Sequence, residues 1–152
     1  MPRHTLIQTD RQTRATGQDS FRSDCSKCKG ICCVVLPFDR DQGFGFDKAA
    51  CEPCPKLNAD FSCAIHSSLE ACGFSGCSRY ECFGAGQRIT RALDLRDDWF
   101  RDEAMLALVY KWFRASRELH EKLVLLDDCL DELQQQALRG SGEAPAGSGY
   151  IR

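Results

Sequence analysis

The sequence predicts a mostly α protein with loops, in which a small irregular cysteine-rich module precedes one long α-helix or an α-hairpin. Three observations carry this reading. Ten of the 11 cysteines fall between Cys25 and Cys82, in a stretch punctuated by glycine and proline. From Met105 to Ala137 apolar positions recur at alternating intervals of four and three. The 152-residue length leaves room for one domain, or one small domain and an appendage.

Taken in order, residues 1–22 are polar and mixed in charge, and read as a disordered arm. Leu6-Ile7 is the only apolar pair there, so no secretory signal is visible. No stretch approaches the roughly 20 apolar residues of a membrane span. The expectation is a cytoplasmic protein with no membrane partner. In that compartment thiols stay reduced, and dense cysteines point to metal rather than to disulfides.

Residues 23–90 form the expected module. Its apolar residues are few and scattered, so a module of this size needs a staple. Structural zinc supplies about 10–16 kcal/mol of apparent binding energy that becomes folding energy. The spacing is Cys25-x2-Cys28-x3-Cys32-Cys33, then Cys51-x2-Cys54-x8-Cys63-x2-His66-x5-Cys72-x4-Cys77-x4-Cys82. A C-x2-C pair brings two sulfurs to one metal through a single tight turn. Adjacent Cys32 and Cys33 leave the backbone in different directions. Either they serve two centres, or one ligates and the other packs. With this many thiols, two centres or one polynuclear cluster fits better than a single ion.

Residues 91–138 turn helical. Met105, Val109, Trp112, Ser116, Leu119, Leu123, Leu126, Leu130, Leu133 and Ala137 form a 3.5-residue seam suited to helix against helix. Leu106, Tyr110 and Phe113 widen the stripe in the first half, where the module is expected to lie. Asp97 or Asp98 is the expected N-cap and Gly140 the stop. The 105–137 seam fits intramolecular packing, a hairpin hinged near Arg117–Leu119, a homodimer or a partner protein. Residues 139–152, rich in Gly, Ser and Ala, read as a disordered tail.

The formal charge is −2, from 20 Lys+Arg against 22 Asp+Glu. Eight thiolates around two Zn²⁺ would make the module more acidic still, which argues against nucleic acid as a partner.

The stretch Cys25-Ser-Lys-Cys28-Lys-Gly-Ile-Cys32-Cys33 resembles the opening of a zinc- or iron-chelating cysteine-cluster domain found in many bacterial proteins. CCVVLPF, FDKAACEPCPKL, DFSCAIH and GFSGCSRYECFGAGQ are closer still to the cysteine-rich N-terminal domain of bacterial pentapeptide-repeat proteins. The similarity runs from Cys25 to Thr90 and more weakly to Leu119-His120-Glu121. It implies Cys25, Cys28, Cys32, Cys33, Cys54, Cys63, His66, Cys77 and Cys82 as metal-site residues, with zinc or an iron–sulfur cluster as cofactor. Cys51 and Cys72 are additional to that pattern. No pentapeptide periodicity is present, so no repeat-based function is inherited.

Three further residues have ordinary readings beside the chemical one. His66 is either a Zn–N ligand or a histidine on a short helix around Ala64–Ala71. His120 is expected to pack on the module, and Cys129 to be a small buried hydrophobe. Gly84-Ala-Gly86-Gln lacks a phosphate-loop context and reads as a turn into the next helix. No nucleophile elbow, HExxH or dinucleotide fingerprint is present. The sequence therefore implies a structural or metal-handling protein that docks a partner. The alternatives are a redox or sensing iron–sulfur protein, or an accessory subunit of an enzyme.

Overall fold

The computed structural model describes residues 21–140. Four α-helices occur there: α1 Ile31–Val35, α2 Ser75–Arg79, α3 Ala85–Ala92 and α4 Glu103–Gly140. Tight 3-10 turns at Cys25–Lys27, Arg40–Gln42, His66–Ser68 and Trp99–Arg101 link them. Among the described residues there is no extended strand, only single bridges pairing Phe38 with Lys48 and Leu57 with Cys63. The mostly α architecture with loops is as expected. The expected helix around Ala64–Ala71 is only the turn His66–Ser68, and the short helices α1 and α2 form instead. No helix among the described residues is long and apolar enough to cross a membrane.

The pattern of α1 organises the module. Ile31, Val34 and Val35 are spaced i, i+3, i+4, and all three are fully buried. They join Ala85 and Ile89 of α3, Leu95, Trp99, and Val109 and Phe113 of α4 in one apolar core. Gly30, at φ 63°, turns the chain into α1. A Cβ on Gly30 would also lie 2.8 Å from Leu57 Cδ1, so a larger residue at this left-handed corner is strained. The helix ends at extended Leu36, ahead of Pro37. A second aromatic cluster lies under the loop that follows, with Phe38 stacked on Phe44 at 4.6 Å and Phe46 edge-on to Phe74 at 5.3 Å. The apolar core that the module lacks by itself is thus completed by α4.

The helix α4 is a single uninterrupted element. No glycine or proline lies between Glu103 and Arg139, so nothing breaks it near Arg117–Leu119 and no hairpin forms within residues 103–140. Its cap is Asp102, whose Oδ1 accepts from the N–H groups of Ala104 and Met105 at 3.0 and 3.1 Å. Asp97 and Asp98, the expected caps, are occupied otherwise. Lys29 Nζ pairs with Asp97 at 2.5 Å, and Asp98 contacts Arg96. The turn Trp99–Arg101 intervenes because Trp99 is pulled into the core, where its Nε1 donates to the Lys29 carbonyl at 3.2 Å.

The module rests on a stripe of α4 that includes Val109, Phe113 and His120. His120 packs as expected: burial holds its imidazole below its ordinary pKa. Its neutral Nδ1–H donates to the Phe83 carbonyl at 2.8 Å. Phe21 meets the His120 ring edge-on at 5.0 Å, and Arg22 O accepts from Gln87. The first two described residues therefore belong to the fold rather than to the expected arm. The rest of that arm, residues 1–20, and the tail from 141 lie outside the described residues.

The 3.5-residue seam is not the stripe that seats the module. Leu119, Leu126 and Leu133 are 57, 57 and 60% exposed. The two stripes share Met105 and Val109 and part where the seam takes Trp112 and the core takes Phe113, about 100° apart on the helix, and the 3.5-residue repeat adds a drift of about 20° per heptad. Cys129, expected to be buried, is exposed because nine residues, about half a turn in register, separate it from His120 and place it on the face of α4 turned away from the module.

Phe113→Ala is expected to cost about 3–5 kcal/mol, and Leu138→Ala, at an exposed position, less than about 0.5 kcal/mol. Denaturant titration of the full chain monitored by circular dichroism checks the difference.

Candidate metal centre

The nine implied site residues fall on short pieces of structure. Cys25 opens a 3-10 turn whose N-cap, Asp24, accepts from the Ser26 N–H, and Cys28 closes it with its N–H on the Cys25 carbonyl. Cys32 and Cys33 follow on α1, Cys54 and Cys63 lie on loops, Cys77 is on α2, and Cys82 precedes α3. Because α1 buries Ile31, Val34 and Val35, helical geometry turns Cys32 and Cys33 away from the core centre, where both are half-buried. Their sulfurs are 4.0 Å apart.

One group of thiols gathers where α3 begins. Gly84, at φ 72°, caps α3 without a side-chain hydrogen bond, and Gly86 sits in its first turn. A Cβ built on Gly86 would stand 2.7 Å from Cys28 Sγ and 3.9 Å from Cys82 Sγ. Both sulfurs therefore border one small space that glycine keeps open. Ser23 Oγ lies 2.9 Å from Cys82 Sγ, and the Cys82 N–H donates to that hydroxyl at 3.3 Å. Burial pushes the Cys28 thiol up to about 11, with the charges of Cys82 and Cys25 adding to it; hydrogen bonds from Ile31 and Thr90 work against them. Cys25 is also raised, by burial first and then by Cys82 and Cys33.

A second group gathers below α1. The Cys54 N–H donates to the Cys33 carbonyl at 2.9 Å, and the Lys56 N–H donates to Cys54 Sγ at 3.4 Å. The Leu57–Cys63 bridge folds the next thiol back alongside. Burial pushes the Cys77 thiol up to about 12, and the charges of Cys33, Cys54 and Cys63 contribute. Burial likewise raises Cys54, with Cys33 and Cys63 adding to it. The vicinal pair joins the two groups: the Cys32 hydrogen bond lowers Cys33, which Lys48 also favours as thiolate, and Cys32 itself is driven well up.

Lys48 has no place in the cysteine pattern, yet it is 7% exposed. Its ammonium donates to the carbonyls of Leu36 at 2.5 Å, Glu52 at 2.7 Å, Ala49 at 3.1 Å and Val34 at 3.2 Å, and it lies 4.7 Å from the Phe38 ring centre. Burial lowers its pKa, while Cys54, Cys33, Glu52 and Cys51 oppose that. Only its position between two alanines and an aspartate was visible in the sequence. Gly86 was equally hidden, since a glycine at the start of a helix signals a turn and not a sulfur neighbour.

His66 is exposed on its turn, and Cys72, also exposed, has its sulfur 3.6 Å from Ser68 Oγ. Cys51 is half-buried at φ 65°. Cys129 is remote on α4. The donor set that comes together is accordingly all thiol. Among the described residues, no three or more Cys, His, Asp or Glu side chains are closed around a common point. Thiol is the donor type that a soft cation takes, and the structure brings sulfurs together in pairs, Cys28 with Cys82 at Gly86 and Cys32 with Cys33 on α1.

No protein-family model and no solved structure matches this chain. The chain is 39% identical over 108 residues to a Bacillus subtilis (strain 168) protein described as uncharacterized protein YybG. The matched part is 71% of this chain and 39% of YybG, so the chain spans about two fifths of that relative's length.

Gly86→Ala is expected to destabilise the chain by about 1–3 kcal/mol, because the added methyl must displace the Cys28 sulfur. A shift in the denaturant midpoint measures it.

Proposed function

We propose that the chain is a cysteine-thiolate metal protein whose centre staples the module, serving a structural or metal-handling role with a partner docked on α4. The observation that carries this is the approach of thiols distant in sequence: the Cys28 and Cys82 sulfurs border the Gly86 space, and the Cys54 N–H is bonded to the Cys33 carbonyl, near an uncapped helix start and a buried lysine. Burial keeps such thiols protonated unless a cation compensates their charge, and ligation by zinc supplies that compensation. The resemblance of the cysteine pattern to zinc- or iron-chelating domains supports the same reading. With His66 exposed, the donors are all sulfur, and such a set takes an iron–sulfur cluster as readily as zinc. A redox or sensing role is the second reading on that ground.

Anaerobic purification followed by metal analysis and a visible spectrum tests both. Stoichiometric zinc in a colourless protein is the expected result. A brown protein with iron and acid-labile sulfide selects the second reading, and a fully reduced chain that retains and takes up no metal overturns both. Cys28→Ser and Cys77→Ser are expected to lower metal content, and Cys129→Ser to leave it unchanged.

We further propose that a second copy of the chain covers the distal seam. Each Leu buried there contributes about 1.5–3 kcal/mol, and α4, about 57 Å long, extends past the residues that seat the module. In a parallel pair, Lys122 of one copy flanks the seam opposite Asp127 of the other, an attractive placement. Sedimentation equilibrium should return a dimer for the wild type and a helical monomer for Leu126→Glu/Leu130→Glu. A monomeric wild type overturns the pairing.

A further inference from the structure

Cys32 and Cys33 hold their sulfurs 4.0 Å apart, although successive residues of a helix are turned by about 100° from one another. The side chains therefore converge, and both thiols are half-buried. Their backbone is fixed on several sides. Ile31, Val34 and Val35 anchor α1 in the core. The Cys32 carbonyl accepts from the Leu36 N–H at 3.3 Å, and the Cys33 carbonyl accepts from the Cys54 N–H at 2.9 Å. Among the described residues, no three or more Cys, His, Asp or Glu side chains close around a common point. What α1 presents is a fixed set of two sulfur donors.

Donor number selects the ion. Structural zinc takes four ligands, and iron–sulfur clusters are held by four cysteines. Cu(I) is a soft cation that thiolates select, and two donors in an open arrangement satisfy it. Two metal–sulfur bonds of about 2.3 Å, the zinc–thiolate length, hold their sulfurs about 3.8 Å apart at the tetrahedral angle and about 4.6 Å apart in a line. The observed 4.0 Å lies on the open side of the tetrahedral edge.

Resting on the thiolate reading above, we infer that Cys32 and Cys33 together form a two-coordinate Cu(I) site on α1. Each thiol releases its proton as its copper–sulfur bond forms, and no oxidation state changes. Two thiolates around one monovalent ion leave a net charge of about −1, which a half-buried site must offset. The Lys48 ammonium supplies one positive charge at the end of α1, where it donates to the Val34 and Leu36 carbonyls at 3.2 and 2.5 Å. Cys28 and Cys82, the pair at Gly86, have no such counterpart, since Lys48 is the only buried lysine or arginine among the described residues. Half-burial leaves the ion open to attack by an incoming thiolate, which suits an ion that is passed on rather than one that staples the fold.

The test keeps the full-length chain reduced and anaerobic, and supplies Cu(I) from its complex with the chromophoric chelator bathocuproine disulfonate. The wild type is expected to withdraw one equivalent ahead of any other, and X-ray absorption at that point to show two sulfur neighbours. Cys32→Ser and Cys33→Ser should each weaken this first equivalent by about 100-fold or more, the upper end of what changes outside a ligand shell cost. Cys28→Ser and Cys77→Ser should leave its affinity unchanged. Three or more sulfur neighbours in the wild type overturn the site, however the variants fold. So does full retention of the first equivalent by Cys32→Ser or Cys33→Ser, or an equal loss from Cys28→Ser with the α4 circular dichroism intact. A chain that holds zinc or iron but withdraws no Cu(I) sinks the copper site alone, and one that holds none of the three sinks the metal reading with it.

Discussion

The packing of α1 against α4 is the constraint from which the rest of the module follows. Ile31, Val34 and Val35 sit on one face of a five-residue helix and are fully buried together with Val109 and Phe113. A helix this short has no stability by itself. It exists because those three side chains need the apolar stripe of α4, and Gly30 and Pro37 delimit it on either side. Once that face is committed, Cys32 and Cys33 have only the other face to occupy. The same contact brings α3 to the Cys28 side, through Ala85 and Ile89, and so fixes where Gly86 meets sulfur. Thiol placement is a consequence of core packing.

The electrostatics run in the opposite direction. Burial raises Cys28, Cys54 and Cys77, which is a cost to any thiolate formed there. Polar features of the fold lie among these thiols. A lysine is buried and held by four carbonyls, a helix start is left without a side-chain cap, and an N–H is directed at Cys54 sulfur. Lys48 also bonds to α1 carbonyls and stacks on Phe38, so it joins the thiol region to the aromatic cluster beneath the loop.

The helix α4 carries two unrelated apolar stripes. One completes the core of the module and ends near His120. The other continues to Leu133 and is open to solvent along its distal half. They begin together at Met105 and Val109 and separate at the next turn, where the seam takes Trp112 and the core takes Phe113, about 100° round the helix; the 3.5-residue repeat then drifts further from the core. A helix that served only the module would have no need of the second stripe.

Much of this was legible in the residues. The cysteine spacing, the Gly and Pro punctuation and the 4,3 repeat identified a cysteine-rich module and a long helical segment. The residues left a single long helix and a hairpin hinged near Arg117–Leu119 both open, and the structure has the single helix. Leu106, Tyr110 and Phe113 marked the half of α4 that meets the module, and His120 its packing role. Tertiary contacts decided the remainder. Asp102 displaced Asp97 and Asp98 as the cap because Trp99 had to enter the core. Cys129 stayed exposed because it lies on the face of α4 opposite His120, and His66 stayed outside because its turn faces solvent. Gly86 gains its meaning from Cys28, far away in the chain, and Lys48 from the carbonyls of Val34, Leu36, Ala49 and Glu52 folded around it, and no local pattern encodes such proximity. Sequence determines which residues can form helices and which can ligate. Which thiols stand together depends on the packing of segments that are far apart in the chain.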